Sequence, residues 1–402
     1  MFPSVDRVGF YVGKEEFKKQ RLDAGGWVHY DELVCNIIEG RYDRIKPLHI
    51  EVCVTYRCNF NCPWCSCRYS RNKYKGVPDL GRKNIERIVD ECLKHEIGIQ
   101  WTGGEPLMNE DFISSLSYAT KKGVKQCLFT NGSLISATVA TELMKSNLSF
   151  VRISLNSATP GVHRNFHGKI SLGLSHSVIS GLELLCKTKI HLKSKVRIGV
   201  SIVVNNDNVG DLSNTYTFLY EMVKKYPSAL DFIVVRPVNG SIHDVNTSIN
   251  DNFYEKYENA NKDEAITSIM KENVKVVFPF LDNGFSCDCI KCRGCFLFSE
   301  ISPDGDMFLC SDRYGDKRYK IGNVLENDFE GIFCGQEKEN AIKQNENCLA
   351  EGKCPDNSRG RYFNSLFDQI EDYRNKGKMT AVVKWIEELK KLIPDQGNSF
   401  FI

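Results

Sequence analysis

The sequence predicts an α/β protein, in which a partial (β/α)6 TIM-like barrel is followed by a small Cys-rich domain and by C-terminal helices. Six apolar runs rich in β-branched residues alternate with segments of helical period from about residue 48 to residue 237. This alternation implies parallel strands with right-handed crossovers, and six such units suit an incomplete barrel. A second group of closely spaced cysteines begins near residue 285, and an amphipathic pattern covers residues 379–392.

The predicted strands of the barrel are short apolar runs that each open into a turn. They cover residues 49–55, 98–102, 126–130, 150–155, 197–204 and 231–236. Helices are predicted between them where apolar residues recur every three or four positions. They do so over residues 85–92, 139–143, 178–185 and 212–223.

Beyond the barrel, the sequence turns polar, and then predicts one helix over residues 251–272 and an apolar run over 274–280. The segment Ser302-Pro303-Asp304-Gly305 has the composition of a hairpin turn. A Cys-rich segment of this size needs a metal or a neighbouring domain to stabilise it. The predicted organisation is an N-terminal extension (1–45), the barrel (46–240), a connecting segment (241–284), the Cys-rich domain (285–360) and a C-terminal helical segment (361–402).

Charge and hydropathy exclude several classes of function. The chain has 402 residues, with 53 Lys and Arg against 51 Asp and Glu, so its net charge is +2. No global field of this size recruits nucleic acid or an anionic membrane. The N-terminus lacks an apolar run of signal length, and no stretch approaches the 18 apolar residues of a membrane span. We therefore expect a soluble, cytoplasmic protein with no nucleic-acid or membrane partner.

Seventeen cysteines are the unusual feature of the composition. A disulfide framework is typical of small secreted chains, whereas this chain is long, lacks an export signal and has an odd number of cysteines. Thiolates that bind metal in a reducing compartment fit better. The cysteines gather in two places, at Cys58, Cys62, Cys65 and Cys67 and at Cys287, Cys289, Cys292 and Cys295.

The first group forms a CxxxCxxC motif on the loop after the first predicted strand. In α/β barrels the loops at the carboxyl ends of the strands carry the chemistry. Structural zinc sites use four ligands, often in paired CxxC units, whereas a cluster held by three cysteines leaves one iron open for another ligand. Cys58, Cys62 and Cys65 are therefore candidate ligands of an iron–sulfur cluster that takes part in a reaction.

This motif, in this place, resembles that of the radical S-adenosylmethionine (SAM) enzymes, which carry CxxxCxxC after the first strand of a partial (β/α)6 barrel. The resemblance implies a [4Fe-4S] cluster bound by Cys58, Cys62 and Cys65, whose open iron chelates the amino and carboxylate groups of SAM. It also implies that Trp64, just before the third cysteine, packs by the adenine. The alternative interpretation of the motif alone is an inert metal clip.

Further matches to this family follow the second, third and fourth strands. Two glycines and a carboxylate occur together in WTGGEPLM, and in the family this stretch, here Gly103, Gly104, Glu105 and Pro106, binds the SAM amino group. Asn131 in FTNG and Ser154 and Asn156 in RISLNS stand where the family contacts the methionine carboxylate and the ribose. Many members have Asp at the position of Asn156, and polar strand ends are the alternative interpretation.

The second group of cysteines resembles the auxiliary-cluster domains named SPASM and Twitch. Cys295, nine residues, Gly305, four residues and Cys310 match the opening C-x(9–15)-G-x4-C, and Cys348-x5-Cys354 fits a later pair. Asn345 and Ser358 stand where a full SPASM domain has two more cysteines. The resemblance therefore implies one auxiliary [4Fe-4S] cluster with Cys295, Cys310, Cys348 and Cys354 as ligands, and Cys289 or Cys292 as replacements. A zinc ribbon over residues 287–295 is the alternative.

The resemblance implies that a low-potential donor such as flavodoxin or ferredoxin reduces the first cluster, which cleaves SAM to a 5′-deoxyadenosyl radical that abstracts a hydrogen atom. Our first hypothesis is an oxidation, epimerisation or rearrangement of a small-molecule or sugar-type substrate. It is favoured because only about 45 residues precede the barrel, which leaves little room for a separate peptide-recognition domain. The alternatives are a SPASM-type maturase of a ribosomally synthesised peptide and a metal-binding scaffold without turnover.

The sequence gives only weak indications of catalytic and substrate-binding residues. Cys67 is a candidate hydrogen-atom donor, since it lies beside the motif but outside it. Four residues, after the fourth strand and at the end of the sixth, are candidate contacts for a polar or anionic substrate. The alternative interpretation of each is a surface or helix-capping residue. They are His163, Arg164, His167 and Arg236.

Overall fold

The computed structural model describes residues 7–12, 15–21, 27–170, 172–238, 249–278, 292–350 and 359–392. Its strands are β1 Arg7–Val12, β2 Glu15–Arg21, β3 His49–Cys53, β4 Gly98–Thr102, β5 Gln126–Thr130, β6 Leu148–Ser154, β7 Arg197–Val204, β8 Leu230–Pro237, β9 Lys275–Val277, β10 Phe298–Ile301, β11 Asp306–Phe308 and β12 Lys320–Asn323. Its α-helices are α1 Asp31–Glu39, α2 Arg68–Lys73, α3 Arg82–Lys94, α4 Phe112–Lys122, α5 Ala137–Lys145, α6 Pro160–Phe166, α7 Leu172–Leu192, α8 Leu212–Lys225, α9 Phe253–Ala260, α10 Glu264–Lys271, α11 Phe329–Phe333, α12 Gln336–Ala350, α13 Arg359–Asn375 and α14 Met379–Leu392.

The six predicted barrel strands are β3 to β8, and they lie side by side in chain order, each parallel to the next. The predicted helices between them are present as α3, α5, α7 and α8. Since all six strands run in one direction, their carboxyl ends share one edge of the sheet. This arrangement confirms the α/β prediction and places the loops that follow β3, β4, β5 and β6 next to one another.

The sheet does not stop at the barrel. On one side β10 pairs in parallel with β3, and β11 and β12 continue the sheet in antiparallel order. On the other side β9 pairs in parallel with β8. The Cys-rich segment is therefore joined to the barrel by main-chain hydrogen bonds, which cover the edge that β3 would otherwise expose.

The single helix predicted over residues 251–272 is wrong, because the structure has two helices there. Helix α9 ends at Ala260, and α10 begins after Asp263, whose side chain accepts a hydrogen bond from the Ala265 N–H at 2.8 Å. Asp is a favoured N-cap, and its own cap interrupts the helical pattern. The predicted apolar run begins with β9, and its last two residues lie outside the described ranges.

The predicted hairpin and C-terminal helix are both present. The Ser302 N–H donates to the Asp306 carbonyl at 2.9 Å, and Gly305 has the positive φ of 85° that the turn between β10 and β11 requires. Helix α14 has the predicted bounds and buries Trp385 against Trp27 of the N-terminal segment. None of the helices in the described ranges is both long and apolar enough to cross a bilayer.

The two faces of the parallel sheet differ in what covers them. Trp101 of β4 contacts Phe112 of α4, so this side chain points towards the outer helices. Inside the barrel, Phe150 of β6 meets Phe232 of β8 edge-on. The Phe232 ring lies over Gly199 of β7, where an added Cβ would be only 2.1 Å from the ring. The absence of a side chain at position 199 therefore makes room for an aromatic ring that fills the barrel.

We expect Gly199→Ala to destabilise the protein by about 1–3 kcal/mol, because overpacking forces a ring out of its place. Urea unfolding under anaerobic conditions measures this free energy. In a Phe232→Leu background, which removes the end of the ring, the same substitution should cost less. Gly161→Ala is the matched control, since an added Cβ at this exposed site meets no atom within 4 Å. Equal losses at positions 199 and 161 would contradict the prediction.

Candidate functional site

The loop after β3, residues 54–67, carries the three cysteines of the CxxxCxxC motif at the carboxyl edge of the sheet. We refer to it as the cysteine loop. Its backbone is tied to the loop after β4, because the Gly104 N–H donates to the Thr55 carbonyl and the Glu105 N–H to the Arg57 carbonyl, each at 2.8 Å. The side chain of Thr55 in turn donates to Asp79 at 2.5 Å. The cysteine loop therefore has a fixed position relative to its neighbours.

The three thiols of the motif lie within electrostatic reach of one another. Burial raises the pKa of Cys58 to about 11 and that of Cys62 well above its usual value, and each neighbouring thiol adds to the effect. A hydrogen bond from the Cys67 thiol lowers the pKa of Cys65 to about 6. The guanidinium of Arg71 opposes the rise in pKa at Cys58 and Cys62 and contributes to the lower pKa of Cys65. One fixed cation thus favours three thiolates on one loop.

Arg71 is held beside the three thiols by hydrogen bonds to the backbone of the cysteine loop. Its Nε donates to the Tyr56 carbonyl at 3.2 Å, and its Nη2 donates to the Phe60 carbonyl at 3.0 Å. The Phe60 N–H donates to Cys58 Sγ at 3.4 Å. Arg71 could not be singled out from the sequence, because an arginine on a short helix beyond the motif has no distinctive spacing.

The chemistry of the donor set, three cysteine thiols on one loop, suits an iron–sulfur cluster. Within the described ranges, no group of three or more His, Cys, Asp or Glu side chains is arranged to hold one ion. A single zinc ion needs all its ligand atoms at about 2.0–2.3 Å. Thiolates that hold a cluster bind different iron atoms, and therefore lie farther apart. Three thiols on one short loop, with a cation beside them, are the kind of donor set that such a cluster uses.

The two glycines after β4 are required by the close approach of the cysteine loop. A Cβ at Gly103, whose φ is 148°, would be 2.7 Å from the Thr55 carbonyl oxygen, and a Cβ at Gly104 would be 2.1 Å from the Arg57 carbonyl oxygen. Both obstacles are backbone atoms that cannot rotate away. The glycine pair therefore allows two loops of the site to pack backbone against backbone.

Glu105 connects the loops after β4 and β5. Its side chain is 1% exposed, and it accepts hydrogen bonds from Thr130 Oγ1 at 2.6 Å, the Asn131 N–H at 2.7 Å and the Leu107 N–H at 3.1 Å. Burial raises the pKa of this carboxyl group, and the three donors oppose the rise. Pro106, which follows, is buried in a single helical turn. That Glu105 and Pro106 contact SAM stays a prediction.

Asn131 connects the loop after β5 to the cysteine loop. Its Nδ2 donates to Asn59 Oδ1 at 2.8 Å, and its Oδ1 accepts from the Ser133 N–H at 2.9 Å. Asn59 Nδ2 donates to Ser133 Oγ at 2.8 Å. The structure thus brings the predicted loops together, and Asn59 is a member of this network that the sequence analysis did not single out.

The segment after β6 covers the other side of the cysteine loop. Trp64 Nε1 donates to the Phe166 carbonyl at 2.9 Å, and its ring lies 4.8 Å from the Phe166 ring. Ser154 is partly exposed at the end of β6, whereas Asn156 is fully buried. The contacts of Trp64, Ser154 and Asn156 with SAM stay predictions.

Two of the candidate substrate contacts are buried histidines that lie beside each other. His163 and His167 are each 1% exposed, and their rings lie 4.3 Å apart. His163 Nδ1 is 3.2 Å from Ser175 Oγ, and His167 Nδ1 is 3.0 Å from Cys62 Sγ. Both rings pack against Phe60 of the cysteine loop, and their contact with a substrate stays a prediction. Arg164 and Arg236 are partly exposed.

Cys67 is the N-cap residue of α2 and is partly buried. The hydrogen bond with Cys65 raises the pKa of the Cys67 thiol, and burial adds to the rise. Cys67 therefore interacts with a motif cysteine, and its role as a hydrogen-atom donor stays a prediction.

In the Cys-rich segment, the structure places Cys292 and Cys295 side by side before β10. The Cys295 thiol hydrogen bonds to Cys292 and lowers its pKa to about 6. Asn345 Nδ2 donates to Cys295 Sγ at 3.2 Å, and Asn364 Nδ2 donates to Cys292 Sγ at 3.4 Å. Asn345 stands where a full SPASM pattern has a cysteine, and it reaches the same thiol site.

The remaining cysteines predicted as auxiliary ligands are described less completely. Cys310 is partly buried after β11, while Cys348 lies on α12 with its side chain outside the described part. Cys287, Cys289 and Cys354 lie outside the described residues. Ligation by Cys310, Cys348 and Cys354 therefore stays a prediction.

Comparison with protein families identifies two domains in this chain. Residues 52–219 match the model of the Radical SAM superfamily. Residues 289–356 match the SPASM model, which describes an iron-sulfur cluster-binding domain. The first match contains the cysteine loop and the loops packed on it, and the second contains the paired cysteines before β10.

Individual relatives cover different shares of the chain. Mycofactocin maturase MftC of Mycobacterium tuberculosis is 24% identical over 307 residues, which are 75% of this chain and 74% of that protein. Fe-coproporphyrin III synthase of Methanosarcina barkeri is 26% identical over 189 residues, which are 47% of this chain and 44% of that protein. The chain thus matches less than half the length of the second relative.

A solved structure has the same fold. SuiB of Streptococcus suis, crystallised with the precursor peptide SuiA, superposes with a TM-score of 0.55 at 16% identity. The superposition covers 75% of this chain and 68% of SuiB. At this level of identity the likeness shows the fold alone.

Proposed function

Because the chain belongs to the radical SAM superfamily and carries a SPASM-type domain, we propose that it is a radical enzyme that matures a peptide. A radical SAM domain binds a [4Fe-4S] cluster and SAM, and a SPASM domain binds auxiliary iron–sulfur clusters. When bound, the cluster and SAM supply a 5′-deoxyadenosyl radical that removes a hydrogen atom from an unactivated C–H bond. The protein positions the reacting groups and excludes water.

Cys58, Cys62 and Cys65 are the proposed ligands of the first cluster. The observation that carries this assignment is that the three thiols lie on one loop fixed between its neighbours, next to Arg71, which donates to the Tyr56 and Phe60 carbonyls of that loop and whose charge favours the thiolate forms. Metal binding requires deprotonated thiols, so a cation at this place favours the ligating form. Arg71 therefore assists the loop in holding the cluster.

The proposed SAM site lies on the loops that pack against the cysteine loop. Its candidates are Trp64, Gly103, Gly104, Glu105, Pro106, Asn131, Ser154 and Asn156. In the structure Glu105 fixes the Asn131 loop, and Asn131 fixes Asn59 of the cysteine loop. These carboxylate and amide contacts fix the loops relative to one another. A ligand of the cluster would therefore bind beside loops whose positions are already set.

We propose one auxiliary [4Fe-4S] cluster, with Cys295 as a ligand and Cys292 beside it as a second. Asn364 of α13 supports this pair. Its Oδ1 accepts hydrogen bonds from the Arg293 and Gly294 N–H groups at 2.7 and 2.6 Å, and its Nδ2 donates to Cys292 Sγ. Cys310, Cys348 and Cys354 complete the candidates. When bound, an auxiliary cluster held by these residues would supply a site for electron transfer, and flavodoxin or ferredoxin is the proposed external donor.

The relatives support a peptide as the substrate. The maturase MftC matches across both domains, whereas Fe-coproporphyrin III synthase matches under half of the chain. SuiB, which has the same fold, was crystallised with a precursor peptide. A small-molecule or sugar-type substrate, our first hypothesis from the sequence, remains the second candidate.

The proposal is tested with protein purified and reconstituted anaerobically, then supplied with dithionite and SAM. We expect about eight iron per chain, as two [4Fe-4S] clusters require, and release of 5′-deoxyadenosine. Adding peptides encoded by short reading frames beside the gene should increase nucleoside release and change the mass of one peptide. Zinc in place of iron, with no nucleoside, would leave only a metal-binding scaffold.

The same assay separates the two substrate classes. A protein-free extract of small molecules replaces the peptides in a parallel reaction. Stimulation by that extract, with every peptide mass unchanged, would contradict the peptide proposal and favour the small-molecule hypothesis.

A further inference from the structure

A chain of three hydrogen bonds leads from the barrel to Cys62. Val203 N donates to Asn156 Oδ1 at 2.8 Å, Asn156 Nδ2 lies 3.2 Å from His167 Nε2, and His167 Nδ1 lies 3.0 Å from Cys62 Sγ. Asn156 is 0% exposed, and His167 is 1% exposed. The whole chain is therefore shielded from solvent, and its direction can be worked out from donors and acceptors alone.

The backbone N–H of Val203 fixes the direction of the chain. This group can only donate, so the atom of Asn156 that faces it is the carboxamide oxygen. The other atom of the amide is then nitrogen, which donates to His167 Nε2. A ring nitrogen that accepts carries no proton, so the proton of the imidazole is on Nδ1.

It follows that Nδ1–H donates to Cys62 Sγ. The reverse direction, with the thiol donating to Nδ1, would leave both ring nitrogens without a proton, and a neutral imidazole has one. We propose that His167 is a positioning residue for the SAM-binding cluster, which donates a hydrogen bond to the Cys62 thiolate and thereby raises the reduction potential of that cluster. This inference rests on the proposed function, because it takes Cys62 as a cluster ligand.

The orientation of His167 is set by contacts on every side. The His167 carbonyl accepts from the Asn61 N–H at 3.3 Å, and a Cβ at Gly168 would be 2.1 Å from the Asn61 carbonyl oxygen. The Phe60 ring lies 4.8 Å from the imidazole. Asn208 Nδ2 donates to the Asn156 carbonyl at 2.7 Å and fixes the strand end. The histidine and the cysteine loop thus form one packed unit.

The effect on potential follows from charge. Reduction adds one negative charge to the cluster and its thiolates, and an N–H directed at a sulfur stabilises that charge. Loss of the donor should therefore make reduction less favourable. We expect about a tenfold change in the reduction equilibrium, which is about 59 mV for a one-electron couple.

Two variants separate the hydrogen bond from the packing of the ring. His167→Leu removes the hydrogen-bond donor, while His167→Asn places an amide nitrogen near the position of Nδ1. Both variants remove the imidazole ring and its contact with Asn156, so they differ in the donor to Cys62. The midpoint potential is measured by redox titration of the electron paramagnetic resonance signal that changes when SAM is added, which distinguishes this cluster from the auxiliary one. We expect a lower potential in the leucine variant and one near wild type in the asparagine variant. Equal shifts in both variants, or no shift in either, would overturn the proposal.

A second measurement does not depend on the variants folding. Wild-type protein labelled with 15N-histidine should show a nitrogen coupling and an exchangeable proton coupling in pulsed spectra of the reduced cluster. Absence of both couplings would overturn the inference. The proposed function is judged separately, since its failure would appear as wild-type protein that forms no SAM-sensitive cluster.

Discussion

Replacing Cys58, Cys62 and Cys65 together by alanine is expected to abolish SAM cleavage and to lower the iron content by about four per chain. The reason is that these thiols are the proposed protein ligands of the first cluster, while Cys292 and Cys295 lie in a separate segment of the chain. The auxiliary cluster should therefore remain. Iron, labile sulfide and 5′-deoxyadenosine, measured on the same anaerobic preparation, check the prediction.

A matched control removes three cysteines from the core of the barrel. Cys92, Cys127 and Cys186 are each at most 1% exposed, so they act as small apolar side chains of the core. Their replacement by alanine should retain about eight iron and the release of nucleoside. If the motif variant kept its iron, or still released nucleoside, the ligand assignment would be wrong.

The barrel was predictable because its signals are local. Each strand of the barrel is a short apolar run, and each helix repeats its apolar residues along one face, so neighbouring residues determine both. Pairing β10 with β3 was not predictable in this way, since residues 298 and 49 pair across most of the chain. The N-cap at Asp263 shows the same limit at short range, because one hydrogen bond outweighs a continuous apolar pattern.

The candidate site was predictable where a motif fixes it and not where contacts complete it. The CxxxCxxC and GGEP motifs place their loops at adjacent strand ends, and the structure brings those loops together. The link between His167 and Cys62 spans 105 residues and depends on which atom of Asn156 faces Val203. A donor direction of this kind is a property of packed atoms, and no residue spacing encodes it.

The second cysteine constellation shows an intermediate case. The cysteine spacing predicted Cys295 as a ligand and indicated that Asn345 stands in place of a cysteine. The structure shows that Asn345 donates a hydrogen bond to Cys295 Sγ. Cys292 was only an alternative ligand in the sequence analysis. Its contact with Cys295 and with Asn364 makes it a stronger candidate, because a paired and hydrogen-bonded thiol is poised to ionise.

Gly104→Ala should have the second largest effect, with a loss of about a hundredfold or more in the rate of 5′-deoxyadenosine formation. The new Cβ would lie 2.1 Å from the Arg57 carbonyl oxygen, so the cysteine loop and the loop after β4 must move apart. A displacement of about 1 Å between reacting groups costs about a hundredfold in rate. The hydrogen bond from the Gly104 N–H to the Thr55 carbonyl would be lost in the same movement.

Gly81→Ala is the control for this substitution, because a Cβ at Gly81 meets no atom within 4 Å and its φ of −71° suits any residue. That variant should keep wild-type rates. Iron content distinguishes two origins of the loss at position 104: iron near wild type locates the damage in the relation between SAM and the cluster, and iron reduced by about four locates it in the cysteine loop. A Gly104→Ala enzyme with unchanged rate would show that the close packing of the two loops is not needed for the reaction.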